Sequence, residues 1–331
     1  MTIQLTIVGL GQVGTSIGMA LAEQGEMFRR VGHDRSLDIA HRAQKMGAVD
    51  RVSNNLPSAV RDADIVVLSI PVDQMRATLE VVAPDLKENA VVMDTCPVKV
   101  AVIAWIKELL PENRHYIGLT PVINPAYLRL GEAGIDAARA DLFQHGLLAI
   151  VAPPNTPGEA LKLASDLARM LGADPLFADP LEIDGLMAAT HILPQLMAAA
   201  LLNATVDQPG WREARKIAGQ AYADATAPSV RSSAASSLSS SALLNRENVL
   251  RVLDGAIAAM QALRQDIDGD DAQALEARLE LARRGYALWL KERLAANWAF
   301  EGMPESAAKS SESYDVLSRL FGTGWKRKDR K

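Results

Sequence analysis

Three glycines close to the start of the chain carry the first chemistry that residue type and spacing reveal. The stretch Gly9, Leu10, Gly11, Gln12, Val13, Gly14 follows directly on an alternating run of β-formers, Ile3, Leu5 and Ile7 with Val8, and precedes a segment, 15–23, that reads as a helix. In a strand, turn and helix of this kind each glycine has its own task. Gly9 permits the tight turn, Gly11 lets the backbone approach a pyrophosphate with no Cβ in the way, and Gly14 lets helix and strand pack closely. The helix N-terminus then receives the phosphate charge, because its unpaired N–H groups and its dipole both favour an anion. A second apolar strand, 28–32, ends in His33 and Asp34, about twenty residues past the last glycine, where an acid is expected to hold the adenosine ribose hydroxyls. A carboxylate there disfavours the extra phosphate of NADP. Arg35 follows at once, and it either stacks on adenine or attracts a 2′-phosphate. NAD is the expected cofactor and NADP the alternative.

The elements that must position this turn alternate between strand and helix. After a helix over 36–46 comes the continuous apolar strand 64–71, of the kind buried on both faces of a parallel sheet. Its end, Ser69, Ile70 and Pro71, lies at the carboxyl edge where open α/β sheets bind ligands, so these three join the glycine turn as cofactor contacts. A helix over 75–86, a strand over 90–94, a helix over 99–110 and a strand over 116–119 continue the pattern. The fold class expected is α/β, an N-terminal Rossmann-type doubly wound parallel sheet followed by a mostly α-helical dimerisation and substrate domain. The small-residue segment 131–140 is an excursion, and 147–151 reads as the last strand. A proline-rich stretch, 153–157, places the boundary between a dinucleotide-binding domain, 1–152, and a helical domain, 153–331. In the second domain, helices are expected over 159–171, 181–203, 212–225, 248–266 and 271–294, with a short apolar strand at 175–178. The serine-dense stretch 229–241 reads either as a disordered linker or as a serine-lined turn over a polar ligand. The Ala/Leu-rich helix around 187–202 carries more apolar surface than one helix-on-sheet contact needs, so a homodimer through the helical domain is expected.

Bulk composition agrees with a soluble two-domain protein. A length of 331 residues exceeds what a single core usually supports, and hydrophobic and charged fractions of 49% and 23% are ordinary. A net charge of −5 gives no basic face for a nucleic acid, and the basic tail 326–331 reads as a solvated end. With Cys96 the only cysteine, an intrachain disulfide framework is ruled out and no structural metal site is expected. No leader segment is visible, and the apolar stretches meet proline or polar residues before reaching membrane-spanning length. The expectation is a cytoplasmic protein without a membrane partner.

Taken together, the residues resemble those of a known family. The order of Gly9 to Gly14, Gly32-His33-Asp34, the strand from Ala63 to Pro71, then the helical stretches from Ala188 to Gln195 and from Asn245 to Leu250, is similar to prephenate dehydrogenase and its arogenate relatives. The resemblance implies a Rossmann domain followed by a helical dimerisation domain. It further implies oxidation of a cyclohexadienyl alcohol with NAD(P) and loss of carbon dioxide, on the way to tyrosine. Three family positions depart here. Where the family has its proton-accepting histidine before a proline, this chain has Thr120 before Pro121. Where the family has a serine two residues before a lysine, this chain has Pro97 before Lys99, and the substrate-binding arginine after an aromatic-x-Asp-x-Thr pattern is replaced by Ala227 after Tyr222 to Thr226.

Candidates for the chemistry follow from what is left. His191 is the best remaining acid or base, weighed against the common case of a satisfied core histidine. Lys99 either holds a substrate carboxylate or donates a proton, against a solvated lysine. Thr120 and Asn124 flank a loop at the carboxyl edge and together suit a carbonyl or hydroxyl, although Asn124 before Pro125 equally builds a turn. Cys96 lies at the same edge with no base implied beside it, and Tyr222, Arg231 and Ser232 are further substrate contacts. Two functions are open at this point. One is an NAD(P)-dependent oxidoreductase resembling prephenate dehydrogenase and acting on a small anionic hydroxy or oxo compound, whether prephenate or another; the other is a catalytically inactive dinucleotide-binding sensor or scaffold.

Overall fold

A computed structural model describes residues 2–128, 131–231 and 234–296. The chain forms two compact units, the first ending at Pro180 and the second beginning at Leu181.

The first unit is built on one eight-stranded sheet. Strands β1 (Ile3–Val8), β2 (Phe28–His33), β3 (Arg51–Val52), β4 (Ile65–Leu68), β5 (Val91–Asp94), β6 (His115–Pro121), β7 (Leu147–Val151) and β8 (Asp174–Phe177) lie in the order β3-β2-β1-β4-β5-β6-β7-β8. β1 and β4 are adjacent inside the sheet, and their side chains are buried throughout; β4 therefore reads as an unbroken apolar run, whereas β1 alternates and its buried Gln4 and Thr6 side chains both donate to the Ala59 carbonyl. Six strands, β3 to β6 across the sheet, are mutually parallel as expected. β7 runs antiparallel to β6, with Thr120 opposite Ala149, and β8 continues parallel to β7. The parallel sheet therefore carries a reversed two-strand edge. It follows that the sheet does not stop near residue 152, because the segment after the proline-rich stretch returns to add β8, so the boundary lies at Pro180.

Helices α1 (Gln12–Ala22), α2 (Leu37–Lys45), α3 (Leu56–Val60), α4 (Val72–Val82), α5 (Val100–Leu109) and α6 (Gly158–Met170) join the strands. Their starts have identifiable causes. The Ser36 hydroxyl accepts from the Ile39 N–H at 3.4 Å and Asn55 Oδ1 accepts from the Ser58 N–H at 2.8 Å, so α2 and α3 each have a polar N-cap. Asp38 in the first turn of α2 and Lys45 in the last suit the helix dipole. The excursion between β6 and β7 contains a short 3₁₀ turn, Gly134–Ala137, and it packs on α1. Gln12 Nε2 donates to the Ala137 carbonyl at 3.3 Å, and the Arg139 N–H donates to the Ser16 hydroxyl at 3.0 Å.

The second unit is helical. α7 (Pro180–Met187), a π-helical turn (Ala188–Ile192) and α8 (Leu193–Thr205) make one continuous rod, followed by α9 (Trp211–Ile217), α10 (Gln220–Thr226), α11 (Pro228–Arg231), α12 (Ala235–Leu244), α13 (Arg246–Asp268) and α14 (Ala272–Ala295). The rod, Pro180–Thr205, is long and apolar enough by composition to cross a membrane. The continuous helix agrees with the one expected over 181–203, but the expectation that proline interrupts the apolar stretch does not hold, because Pro194 sits in the first turn of α8 directly after the π turn and the helix runs on through it. The serine-dense stretch also differs from expectation. Its second half is α12, on which Ser237 and Ser241, four apart on one helix face, are both buried.

Arg278 Nε donates to Asp266 Oδ2 at 2.7 Å and fastens the turn between α13 and α14. In the first unit, a Cβ added to Gly18 would lie 2.2 Å from the Ala48 carbonyl oxygen. The variant Gly18→Ala is therefore expected to lower stability by about 1–3 kcal/mol through overpacking, read as a fall in the urea midpoint with an unchanged slope.

Candidate functional site

The glycine turn has the geometry its spacing implies. Gly9 has a φ of +90°, and a Cβ there would lie 2.3 Å from the Ser69 carbonyl oxygen, so the turn is pressed against the end of β4. A Cβ on Gly14 would lie 2.0 Å from the Gly9 carbonyl oxygen and 3.1 Å from Ile7 Cγ2, which is the close helix–strand contact. Gly11 is different: a Cβ there would meet nothing within 4 Å. Gly11 is also the N-cap of α1, which has no side-chain cap and no acidic residue in its first turn. Its leading N–H groups are thus left for an incoming anion, with open space above the one glycine that neither the turn nor the packing requires. Leu10 is buried and Val13 packs on the core, while the side-chain amide of Gln12 is held by Ala137. Main chain, more than side chain, faces the open space.

Asp34 closes the far side of the turn. Its Oδ2 accepts from the Leu10 N–H and its Oδ1 from the Ser36 N–H, both at 2.9 Å. Each oxygen keeps a further lone pair for a hydroxyl donor. Arg35 is exposed. On the other side of the turn, the Ser69 N–H donates to the Val8 carbonyl at 2.8 Å and the Thr95 hydroxyl donates to Ser69 Oγ at 3.3 Å. Ile70 lies against the Cβ position of Gly9, and Pro71 starts α4.

A buried charge cluster stands at the carboxyl ends of β5 and β6. Lys99 and Asp94 are both 0% exposed, and Lys99 Nζ donates to Asp94 Oδ1 at 2.9 Å and to the Leu119 carbonyl at 2.8 Å. The Tyr116 hydroxyl donates to Asp94 Oδ2 at 2.5 Å, and the Cys96 N–H donates to Asp94 Oδ1 at 2.7 Å. Gly118 makes room, since a Cβ there would lie 2.9 Å from Lys99 Cδ. Lys99 is therefore neither a solvated lysine nor a side chain presented to a substrate. Its charge is spent inside the fold. Asp94 and Tyr116 were not singled out from the sequence; an acid ending an apolar strand shortly before a lysine that starts a helix was the available signal.

Two further expectations at this edge meet the same obstacle. Asn124 is buried and occupied at both ends, with Oδ1 accepting from the Ala126 N–H at 3.0 Å and Nδ2 donating to the Asp141 carbonyl at 3.3 Å, so it builds the turn and offers no amide group to a substrate. Cys96 is 1% exposed, its thiol donates to the Ile70 carbonyl at 3.5 Å, and burial pushes its pKa well above the ordinary thiol value. It is packing, not a contact surface. Thr120 is buried as well, and its hydroxyl has no hydrogen-bond partner among the described residues.

In the helical unit, His191 lies in the π turn, a kind of helix defect frequent at functional sites. The Leu193 N–H reaches back to the Ala188 carbonyl, and Gln195 Nε2 donates to the His191 carbonyl at 2.8 Å. The imidazole is half-buried, and desolvation lowers its pKa below 6.5. Elsewhere in this unit Gln195, Ser237, Ser241 and Asn245 are buried polar residues, and Asn245 Nδ2 donates to the Asp184 carbonyl at 2.6 Å. Tyr222 is held by the Thr205 hydroxyl at 2.7 Å and tilts against Trp211 with ring centroids 5.8 Å apart. Ser232 and the side chain of Arg231 lie outside the described residues. No cluster of three or more potential metal ligands occurs among the described residues.

A Rossmann-type sheet whose first turn is shaped for a pyrophosphate, followed by a helical unit, defines a two-unit dinucleotide-binding protein of the dehydrogenase type. The chain belongs to the prephenate dehydrogenase family: residues 17–175 match its nucleotide-binding domain and residues 179–281 its dimerization domain. It is 28% identical over 275 residues to a cyclohexadienyl dehydrogenase from Zymomonas mobilis, covering 82% of this chain and 90% of that one. It is 24% identical over 273 residues to a prephenate dehydrogenase from Bacillus subtilis, covering 82% and 72%. The fold is that of a prephenate dehydrogenase from A. aeolicus crystallised with hydroxyphenyl propionate and NAD+, with a TM-score of 0.74 and 20% identity over 87% of this chain and 98% of that one. An arogenate dehydrogenase from Synechocystis gives a TM-score of 0.66 and 23% identity over 87% and 100%. The dimerization domain bears out the expected homodimer in its coarse form.

Two contrasts test this geometry. Gly11→Ala is expected to leave the urea midpoint unchanged while weakening NADH binding, whereas Gly14→Ala lowers the midpoint itself; fluorescence titration and denaturation separate the two. Removing one partner of the buried pair by Lys99→Met is expected to cost about 3–5 kcal/mol, because Asp94 is left uncompensated.

Proposed function

We propose that this protein is an NAD-dependent oxidoreductase that takes a hydride from a small anionic hydroxy compound, or returns one to the matching oxo compound, and that prephenate is not its preferred substrate. The observation that carries the reading is the pairing of an uncapped α1 under the open face of Gly11 with the Asp34 carboxylate fixed on the Leu10 N–H. That pairing fits a pyrophosphate on the helix and ribose hydroxyls on the acid, and an acid is a poor neighbour for a 2′-phosphate. Bound NAD supplies the hydride acceptor. The residues of the chain hold its phosphates through the backbone at Gly11 to Val13, hold its ribose through Asp34, and support it along Ser69 to Pro71.

The doubt about prephenate rests on three neutral side chains, Pro97, Thr120 and Ala227, where the resemblance calls for a serine, a histidine and an arginine. Thr120 is a poor general base at neutral pH. Lys99 cannot replace it while paired with Asp94. We assign the proton to His191: as hydride leaves the carbon, the imidazole accepts the hydroxyl proton. Its lowered pKa keeps it neutral and able to accept. Tyr222 is assigned to the substrate side through its hydroxyl, and Arg231 and Ser232 are the proposed contacts for an anionic group. A cytoplasmic location fits a chain whose single cysteine is a buried thiol.

A lowered histidine pKa fixes the sign of the pH dependence. Activity is expected to be flat on the alkaline side of the transition and to fall as pH drops through a midpoint below 6.5, because protonation removes the acceptor. Stability moves the same way, since the unfolded chain binds the proton more readily in that window. His191→Gln is expected to reduce kcat by about a hundredfold to ten-thousandfold and to erase the acid limb. Rapid prephenate oxidation unaffected by that substitution would defeat the assignment. The neutral chemistry at Thr120 also supports a second reading, a dinucleotide-binding sensor or scaffold without turnover. NADH binding with no turnover across hydroxy acids, ketones and imines would favour it.

A further inference from the structure

Sheet order alone orients the cofactor along the first unit. β2, β1, β4 and β5 are successive neighbours and all parallel, so their carboxyl ends form one edge. Asp34 follows β2 and the glycine turn follows β1. With the adenosine ribose on Asp34 and the pyrophosphate on the N-terminus of α1, the nicotinamide nucleoside runs on past β4 and β5. Little polar side chain is free there. Cys96 is buried packing, Lys99 is enclosed by Asp94, and Pro97 stands where the resemblance calls for a serine.

Two hydroxyls remain at this edge, and they touch. Ser69 follows β4 and Thr95 follows β5; both are half-buried, and the Thr95 hydroxyl donates to Ser69 Oγ at 3.3 Å. The main chain of each is fastened: the Ser69 N–H donates to the Val8 carbonyl at 2.8 Å and the Thr95 N–H to the Leu68 carbonyl at 3.1 Å. The neighbours of Thr95 are held as well. Lys99 and Tyr116 grip Asp94, while Cys96 is fixed through its N–H on Asp94 Oδ1 and its thiol on the Ile70 carbonyl. A hydroxyl has a single proton to donate. Thr95 gives its own to Ser69, so the Ser69 proton is turned away from Thr95, and it has no acceptor among the described residues. The Ile70 carbonyl is taken by Cys96, the Pro71 carbonyl accepts from the Gln74 N–H at 3.0 Å, and Pro71 has no N–H. Ser69 thus carries the one polar side chain of residues 69–71, held in advance as a donor.

We propose that Thr95 is a positioning residue: it fixes the Ser69 hydroxyl as a donor to an oxygen of the nicotinamide nucleoside half of NAD, and the pair supplies the hydroxyl that the loop after β5 lacks at Pro97. The proposal rests on the NAD reading above and deepens it by assigning a role to a residue that need not touch the cofactor itself.

The test uses the full chain and two probes, NADH titrated by fluorescence and ADP titrated by displacement of bound NADH. ADP keeps the adenosine and the pyrophosphate and lacks the nicotinamide nucleoside, so damage to the glycine turn would weaken both probes. Thr95→Val should weaken NADH about threefold to tenfold, the range of one neutral hydrogen bond, and leave ADP affinity unchanged. Thr95→Ser should restore wild-type affinity. Ser69→Ala should show the same contrast between the probes, and adding Thr95→Val to it should cost nothing further, because Thr95 acts only through Ser69. Wild-type NADH affinity in Thr95→Val, an equal loss for ADP, or a further loss in the double variant would each overturn the proposal while leaving NAD as the cofactor. A wild-type protein that does not bind NADH would overturn the cofactor reading, and the proposal with it. Should Thr95→Val fail to fold, the contrast between NADH and ADP in Ser69→Ala decides alone.

Discussion

Close backbone contact between α1 and β1 is the constraint on which the rest of the nucleotide-binding unit depends. Gly14 lies so near the Gly9 carbonyl that no side chain fits between them, and Gly9 itself turns with a positive φ against the end of β4. Those two contacts fix where the N-terminus of α1 points. Asp34 then locks onto the Leu10 N–H, so strand β2, the turn and the helix form one rigid cradle. Gly11, which neither contact needs, is left facing open space. A dinucleotide site follows from that division of labour among three glycines.

The neighbouring edge of the sheet is held in another way. Asp94, Lys99 and Tyr116 satisfy one another in the interior and bind the Leu119 carbonyl, which ties the ends of β5 and β6 to the start of α5. A buried pair of this kind contributes less to net stability than its geometry suggests, because desolvation offsets much of the attraction. What it does secure is position: the Cys96 N–H is held by the same carboxylate. The chain thus keeps a well-ordered sheet edge while its reactive groups there are neutral or enclosed. That combination is what turns attention to His191 and the π turn of the helical unit.

Legibility in the sequence followed the length scale of the interaction. The glycine turn, Asp34 and the apolar strands were readable because each depends on neighbours a few residues away or on a period of side chains. The reversed edge, β7 and β8, was not, since a strand pattern carries no sign of its direction. Lys99 was misread because residue type and spacing report that a charge is near the edge, not that Asp94 and the Leu119 carbonyl enclose it. Asn124 was half readable: the turn preceding Pro125 was visible, but the burial that uses both ends of its amide was not. The serines of α12 read as a linker or turn by composition, whereas the four-residue spacing of the buried Ser237 and Ser241 is what marks a helix face.

The central claim is that this cradle is built for NAD and not for its phosphorylated form. Calorimetric titration of the full-length protein with NADH and with NADPH tests it most directly. The account predicts that NADH binds at least about tenfold more tightly, because charge-assisted hydrogen bonds from ribose hydroxyls to Asp34 are each worth about 1.5–3 kcal/mol, and that Asp34→Ala narrows the gap. Equal or tighter binding of NADPH, or no binding of either, would contradict it.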